Sequence, residues 1–370
     1  MLSSASTLAA LDGSAADELR TDLLAVPEEI AAGVVPSRSK QAARHWKIWC
    51  DYCRSLRVHP GLPGIRDPIP FIQVFARRYR DGRLAPSGRP VRSRTVEDAI
   101  RSVGQAFSAL GAPDPRESAP NRIDFRLQRQ LRGYKRQDPA PARVRPIPWQ
   151  ALQEAARIAT SPAGTQRERA IVDLMWIAYY FLLRPGEYLH TTSEHAFRME
   201  DVIFRIHDVE YSAATTPLDQ LDLATFAGLT FTEQKNGVKG EVIGLTLSGD
   251  DLACAVRALT RRVRHLRAHH APPNTKLYTY FDSNRRPHHI GSSHLTELLR
   301  LACLLHHLPT DTVSARALRT TGATALLQGH VPISLIQLVG RWRSDEVFRY
   351  LHTQSETLMQ PLAPVMRGPT

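Results

Sequence analysis

Cysteine is scarce in this chain: Cys50, Cys53, Cys254 and Cys303 are the only four in 370 residues, and their spacing forms no disulfide framework. Long apolar runs are missing too. The longest, residues 170–183, is interrupted by Asp173 and falls short of the roughly 20 residues that a membrane-spanning helix needs, so it predicts a buried core helix. The first 30 residues lack the basic start and continuous apolar stretch of a secretory signal. These absences predict an intracellular, reducing setting and no membrane partner. Apolar residues make up 42% of the chain. At about 150 residues per domain that is enough for two or three cores, which excludes collagen-like, rod-like and fully disordered classes.

Acid is the under-represented charge, with 36 Asp and Glu against 48 Lys and Arg, a net +12. The excess is concentrated: residues 1–37 carry −5, residues 38–137 carry +14 and the remainder +3. Positive charge gathered on one segment is the electrostatic footprint of a polyanion binder, because each phosphate neutralised releases counterions. A solvated basic face explains the same excess without any function.

Residues 1–37, rich in Ala, Ser, Leu and acid, predict a flexible acidic arm. Residues 38–137 predict a basic helical domain. Ala42, Trp46, Trp49, Cys50 and Cys53 share a face of its first helix, and Phe71, Ile72, Phe75 and Tyr79 a face of the second. Val96, Ala99, Ile100, Val103, Phe107 and Leu110 stripe the third, with Thr95 and Asp98 at capping-box spacing, and Leu127, Leu131 and Tyr134 mark a fourth. The polar faces carry Arg77, Arg78, Arg80, Arg126, Arg129, Arg132, Lys135 and Arg136, the candidate polyanion-binding residues. Four prolines in residues 138–148 mark a semi-rigid linker. Residues 149–356 predict a mostly α domain with a small antiparallel sheet. Its helices fall at 149–159, up to 183, at 250–269, 292–306 and 315–328, and from 344. Val202, Phe204 and Ile206 alternate, and residues 229–247 read as a β-hairpin. The tail, residues 357–370, is long enough to pack on a neighbouring protomer.

In that domain cations stand at structurally punctuated positions. Arg184 ends the apolar helix just before Pro185-Gly186-Glu187, where Glu187 can orient its guanidinium. Lys235 lies at the hairpin tip. Arg316 and Arg319 open a helix, and their spacing places both on one side of it. Gly340, Arg341 and Trp342 lead into a helix with Ser344 as N-cap and Tyr350 on its second turn. Each position also has an ordinary reading, since a terminal Arg is usually a solvated cap and a hairpin Lys is usually just exposed. The Cys50/Cys53 pair lies on an apolar face beside Trp46 and Trp49, which argues against zinc or redox chemistry. His269-His270, His288-His289 and His306-His307 read as surface pairs. No carboxylate cluster has metal-ligand spacing, so neither a metal nor a cofactor is expected.

In this order, the constellation resembles the tyrosine recombinase, or phage integrase, family. The likeness spans residues 148–354 as a catalytic domain, and the basic block before it resembles the family's core-binding domain. The resemblance implies a site made of Arg184 with Glu187, Lys235 (or Lys239 if the hairpin register slips), Arg319 and Tyr350. Two positions depart from the usual pattern. Arg316 stands where the family most often has His three residues before the second arginine, and Arg341 where it most often has His or Trp nine residues before the tyrosine. Trp342 is one residue late for that role and is expected to support by packing. Arginine is not deprotonated in proteins, so neither departure serves as a general base, while both still donate hydrogen bonds to phosphate.

Strand cleavage by a tyrosine hydroxyl is phosphoryl transfer, which needs fixed cations around the phosphate oxygens and a proton for the departing 5′ oxygen. On the resemblance, Arg184 and Arg319 grip the phosphate, Lys235 is the general acid and Tyr350 forms a covalent 3′-phosphotyrosine link. It further implies double-stranded DNA as partner and a homo-tetramer assembled on two sites. The chain would act in recombination or integration, be encoded by a mobile element, and reside with the DNA (in the nucleus of a eukaryote or the cytoplasm of a bacterium). The two arginine departures keep a second reading open, a DNA-binding protein of this fold that has lost strand transfer.

Overall fold

The computed structural model describes residues 17–18, 36–140, 144–192, 195–232, 240–342 and 347–350. The chain divides into two compact units, Met1–Pro141 and Ala142–Thr370.

The first unit holds α1 (Pro36–Ser55), α2 (Ile69–Arg80), α3 (Ser93–Ala109) and α4 (Phe125–Gln137), with a short hairpin of β1 (Glu117–Ala119) and β2 (Arg122–Ile123) before α4. Each helix turns its apolar stripe inward onto Trp49, Tyr52, Phe75, Tyr79 and Phe107, with Trp49 edge-on to Phe75 at 5.2 Å. Cys53 is buried in this core. The start of α3 differs from the sequence expectation. The helix begins at Ser93, and the Thr95–Asp98 capping box does not form. Asp138 caps it from beyond the end of α4: its carboxylate accepts the Ser93 N–H at 3.0 Å and the Ser93 hydroxyl at 2.5 Å, and it pairs with Arg80. A helix start presents free N–H groups to any acceptor that reaches them, and a carboxylate 45 residues away reaches these.

The second unit opens with α5 (Trp149–Thr160) and α6 (Gln166–Tyr180), followed by the one-turn α7 (Pro185–Tyr188). A four-stranded antiparallel sheet in the order β4-β3-β5-β6 comes next, from β3 (Val202–Ile206), β4 (Val209–Ser212), β5 (Phe226–Phe231) and β6 (Glu241–Thr246). Then come α8 (Ala255–Ala268), the hairpin β7 (Thr279–Phe281) and β8 (Pro287–His289), α9 (Ser292–Leu305), α10 (Ala317–Gln328), α11 (Ile333–Gly340) and α12 (Val347–Tyr350). The fold is mostly α with small antiparallel sheets. Helix α6 is central: α5, α8, α9 and α10 all pack on it, which is why residues 170–179 are buried without an amphipathic stripe. Asp173 inside it is met by Arg261 at 2.7 Å.

Two boundaries shift from the sequence reading. Helix α8 starts at Ala255 rather than 250, because the Asp250 carboxylate accepts the N–H groups of Leu252 and Ala253 and holds a turn there. The β5–β6 hairpin starts at Phe226, whose ring covers Gly244 so closely that a Cβ there would lie 1.8 Å from it. The β7–β8 hairpin has no alternating pattern in sequence. Its strand β7 is anchored by His265 of α8, whose Nε2 accepts the Phe281 N–H at 2.9 Å.

Two measurements test these anchors. Asp138→Ala is expected to cost about 1–2 kcal/mol in the first unit, as loss of a helix cap does, whereas Asp98→Ala costs under about 0.5 kcal/mol; urea unfolding with hydrogen exchange at α3 separates them. Burial, helped by Arg262 and His269, pushes the His265 imidazole down to about 4. The unfolded chain then takes up this proton first as the pH falls. The associated stability is complete above about pH 6.5 and is lost toward pH 4. Calorimetry across that window should show a shallower decline for His265→Gln than for the parent chain.

Candidate active site

Helix α6 ends at Tyr180 and the chain turns sharply through Leu182, which adopts a left-handed conformation (φ 51°) and is fully buried. That turn aims the Leu182 carbonyl back into the fold and starts α7 with Arg184 as its N-cap. Glu187, three residues on, accepts the Arg184 backbone N–H at 2.7 Å and the Arg184 guanidinium at 3.0 Å. The Glu187 carboxylate also pairs with Arg341 at 3.1 Å. The two arginines differ in access: the Arg184 side chain is 33% exposed and that of Arg341 3%.

Arg319, on the first turns of α10, is 2% exposed. Its two terminal nitrogens donate to the carbonyls of Leu182 (2.7 Å) and Gly340 (2.5 Å), and its guanidinium lies 4.1 Å from the Trp342 ring. Arg341 also donates to the Leu182 carbonyl, at 3.2 Å, and stacks 4.0 Å over Phe231 at the end of β5. Arg341 is itself left-handed (φ 55°) at the end of α11. Its Nε and Nη1 are buried without a hydrogen-bond partner among the described residues. Burial pushes its guanidinium down to about 10, with Glu187 opposing, so it is still a cation at neutral pH. Two glycines permit this packing: a Cβ on Gly340 would sit 1.7 Å from the Trp342 ring, and one on Gly322 would sit 2.3 Å from the Tyr179 carbonyl of α6.

The structure therefore brings Arg184, Glu187, Arg319, Arg341 and Trp342 into one cluster. Arg316 has no hydrogen bond or ion pair to that cluster among the described residues. It is the exposed N-cap of α10, with helical backbone angles (φ −68°, ψ −26°), while Arg319 is buried. Lys235 and Lys239 lie outside the described residues, as does Ser344. The segment carrying the lysines is framed at Phe231, whose carbonyl accepts the Gly240 N–H at 2.9 Å. For Tyr350 the backbone alone is described, at the end of α12. Sequence reasoning missed Leu182 and Phe231, which contribute a carbonyl and a ring face.

In the first unit, Arg77, Arg129, Lys135 and Arg136 are exposed and make no ion pair among the described residues. Arg132 is exposed with a long contact to Gln128, and Arg78 is half-exposed over the Tyr52 ring. Arg80 turns inward to Asp138 and to the Val91 carbonyl. Arg126 is held by Asp67 (2.6 Å) and Asp124 (3.0 Å).

No family model and no curated protein matches this chain. Solved structures do. XerH site-specific recombinase, bound to palindromic difH substrate as a post-cleavage complex, aligns with a TM-score of 0.51 over 84% of this chain and 75% of that one, at 13% identity. The Tn1549 transposon integrase in complex with transposon right-end DNA aligns with a TM-score of 0.50 over 93% and 98%, at 14% identity. The chain has the tyrosine recombinase and integrase fold.

Arg319→Ala is expected to destabilise the second unit by about 2–5 kcal/mol, because it leaves the buried Gly340 carbonyl without its charged donor and the Leu182 carbonyl with Arg341 alone. Arg184→Ala should cost under about 1 kcal/mol, since Arg341 still holds Glu187. Chemical denaturation of the two variants checks the ranking.

Proposed function

We propose that this chain cleaves and rejoins duplex DNA through a covalent 3′-phosphotyrosine link at Tyr350. The observation that supports this reading is the gathering of Arg184 and Arg341 on the Glu187 carboxylate, with Arg319 joined to Arg341 through the Leu182 carbonyl to which both donate. Such a cluster is short of negative charge, and a phosphodiester supplies it. Arg184, the accessible member, meets the non-bridging oxygens, with exposed Arg316 as a further donor. Arg341 and Arg319 set the field beneath.

In the chemical step the Tyr350 oxygen attacks phosphorus, the bond from phosphorus to the 5′ oxygen breaks, and Lys235 protonates that oxygen. One phosphoester replaces another, so the link keeps its bond energy and a 5′ hydroxyl from another strand reverses the step. Neither Arg316 nor Arg341 takes the tyrosine proton. The tyrosine proton instead leaves to water, and the surrounding cations lower the cost of the phenolate. The exposed cations of the first unit hold the duplex, a homo-tetramer on two sites exchanges strands, and the protein works where DNA is, as recombinase or integrase of a mobile element. Arginine at positions 316 and 341 favours a second reading, a DNA binder of this fold without strand transfer.

Covalent trapping on nicked duplex and Holliday-junction DNA discriminates the two. The recombinase reading expects a denaturation-resistant adduct that Tyr350→Phe abolishes and Arg184→Ala reduces by about 100-fold or more. Salt-sensitive binding with no adduct across a library of sites would establish the second reading.

A further inference from the structure

The β7–β8 hairpin carries a charged surface that the reaction above does not use. Thr279 pairs with His289, Tyr280 with His288 and Phe281 with Pro287, and the connecting turn presents Arg285 and Arg286. Residues 283–289 are all exposed. The turn is nevertheless closed by hydrogen bonds to one side chain. The Asp282 carboxylate accepts the N–H groups of Asn284 (2.8 Å) and Arg286 (2.9 Å) through one oxygen and meets His288 at 3.0 Å through the other. The turn's acid is thus consumed in building it, and neither Arg285 nor Arg286 has an ion pair among the described residues.

The sides of the hairpin are stiffened by flat rings. His288 stacks on Tyr280 at 5.3 Å, and His289 stacks on His190 at the same distance. Its base is tied down as well: buried Arg262 donates to the carbonyls of Leu277 and Thr279. The His190 N–H donates to the Ile290 carbonyl at 2.8 Å, which fastens the hairpin two residues beyond the end of α7. Arg184 caps the other end of α7. Six residues span at most about 20 Å, so the hairpin base stands within roughly half a turn of duplex from the phosphate grip.

A stiff, exposed finger with two unneutralised arginines, anchored beside a phosphate site, has the chemistry of a backbone clamp rather than of a core element. We propose that the β7–β8 finger is a second phosphate-contacting element, in which Arg285 and Arg286 engage the backbone of the same duplex that is gripped at Arg184. This rests on the reading of the chain as a DNA-binding protein. It adds a contact in the second unit to the exposed cations of the first.

The test is the salt dependence of binding by the full chain to a mixed-sequence 30-base-pair duplex, followed by fluorescence anisotropy. Removing two phosphate contacts by Arg285→Ala with Arg286→Ala should lower the slope of log affinity against log salt by about 1.8, at 0.9 per phosphate, and weaken binding roughly 60-fold at 0.1 M salt. Replacing both by Lys should restore most of the slope, because charge carries it. Arg300→Ala, an exposed cation on α9, is the control for net charge alone. A parent chain that binds with a steep slope, and a double-alanine variant with the same slope and an unchanged melting temperature, would overturn the finger while leaving DNA binding intact. A parent chain that fails to bind duplex would overturn the underlying reading and the finger with it.

Discussion

One backbone carbonyl, that of Leu182, ties together the segments that make the site. It accepts hydrogen bonds from Arg319 on α10 and from Arg341 just past α11, and it exists in that position because α6 stops and Leu182 turns left-handed. A left-handed leucine costs about 1–2 kcal/mol. Two charge-assisted hydrogen bonds at about 1.5–3 kcal/mol each offset it. The same turn orients Arg184 and starts α7, so the placement of Glu187 follows from it. Gly322 and Gly340 belong to this arrangement, since each allows a contact closer than any side chain would permit.

Charge balance then explains why the cluster suits an anion. Burying an arginine costs several kcal/mol unless partners compensate. Arg319 is compensated by carbonyls and the Trp342 face; Arg341 by Glu187, the Leu182 carbonyl and the Phe231 face. Glu187 is divided between Arg184 and Arg341, so neither is neutralised in full. Two nitrogens of Arg341 have no partner among the described residues. Cations held in a dry frame in this way need no reorganisation when an anion arrives, which is the condition under which fixed charges are most effective on a phosphoryl group.

The parts of this structure that could be read from sequence are those governed by local periodicity. Val96, Ala99, Ile100, Val103 and Phe107 are buried along α3 as their spacing predicts, while Leu110 is exposed because the helix ends at Ala109. Arg184 beside Glu187 was legible because Pro185 punctuates the chain there. What was not legible depends on distance. The cap on α3 comes from Asp138, the role of Leu182 depends on an arginine 137 residues later, and Arg80 is turned to Asp138 rather than to solvent. Strand β8, Pro-His-His, has neither β-branched residues nor alternation, and it is a strand through its pairing with β7, which Arg262 and His265 anchor, together with the His190 staple. Arg319 was placed in the site by its neighbours in sequence, but its inward direction was not, because a helical wheel shows which residues share a face and not which face the fold buries.

On the proposed reading, arginine at positions 316 and 341 changes the chemistry in a definite direction. An imidazole near its own pKa can accept the tyrosine proton and return it, and so contributes only as the reaction proceeds. A guanidinium held near 10 keeps its proton throughout. It therefore attracts the phosphate in the ground state as well as in the transition state, and attraction common to both raises affinity without raising the rate of the bound complex. Part of the field does act selectively, because the non-bridging oxygens gain charge as phosphorus is attacked and the phenolate forms beside the same cations. The balance favours a protein that holds its scissile phosphate tightly and turns over slowly. That behaviour suits a reaction whose product is a joined strand, where the bound intermediate must persist until a second duplex is in place.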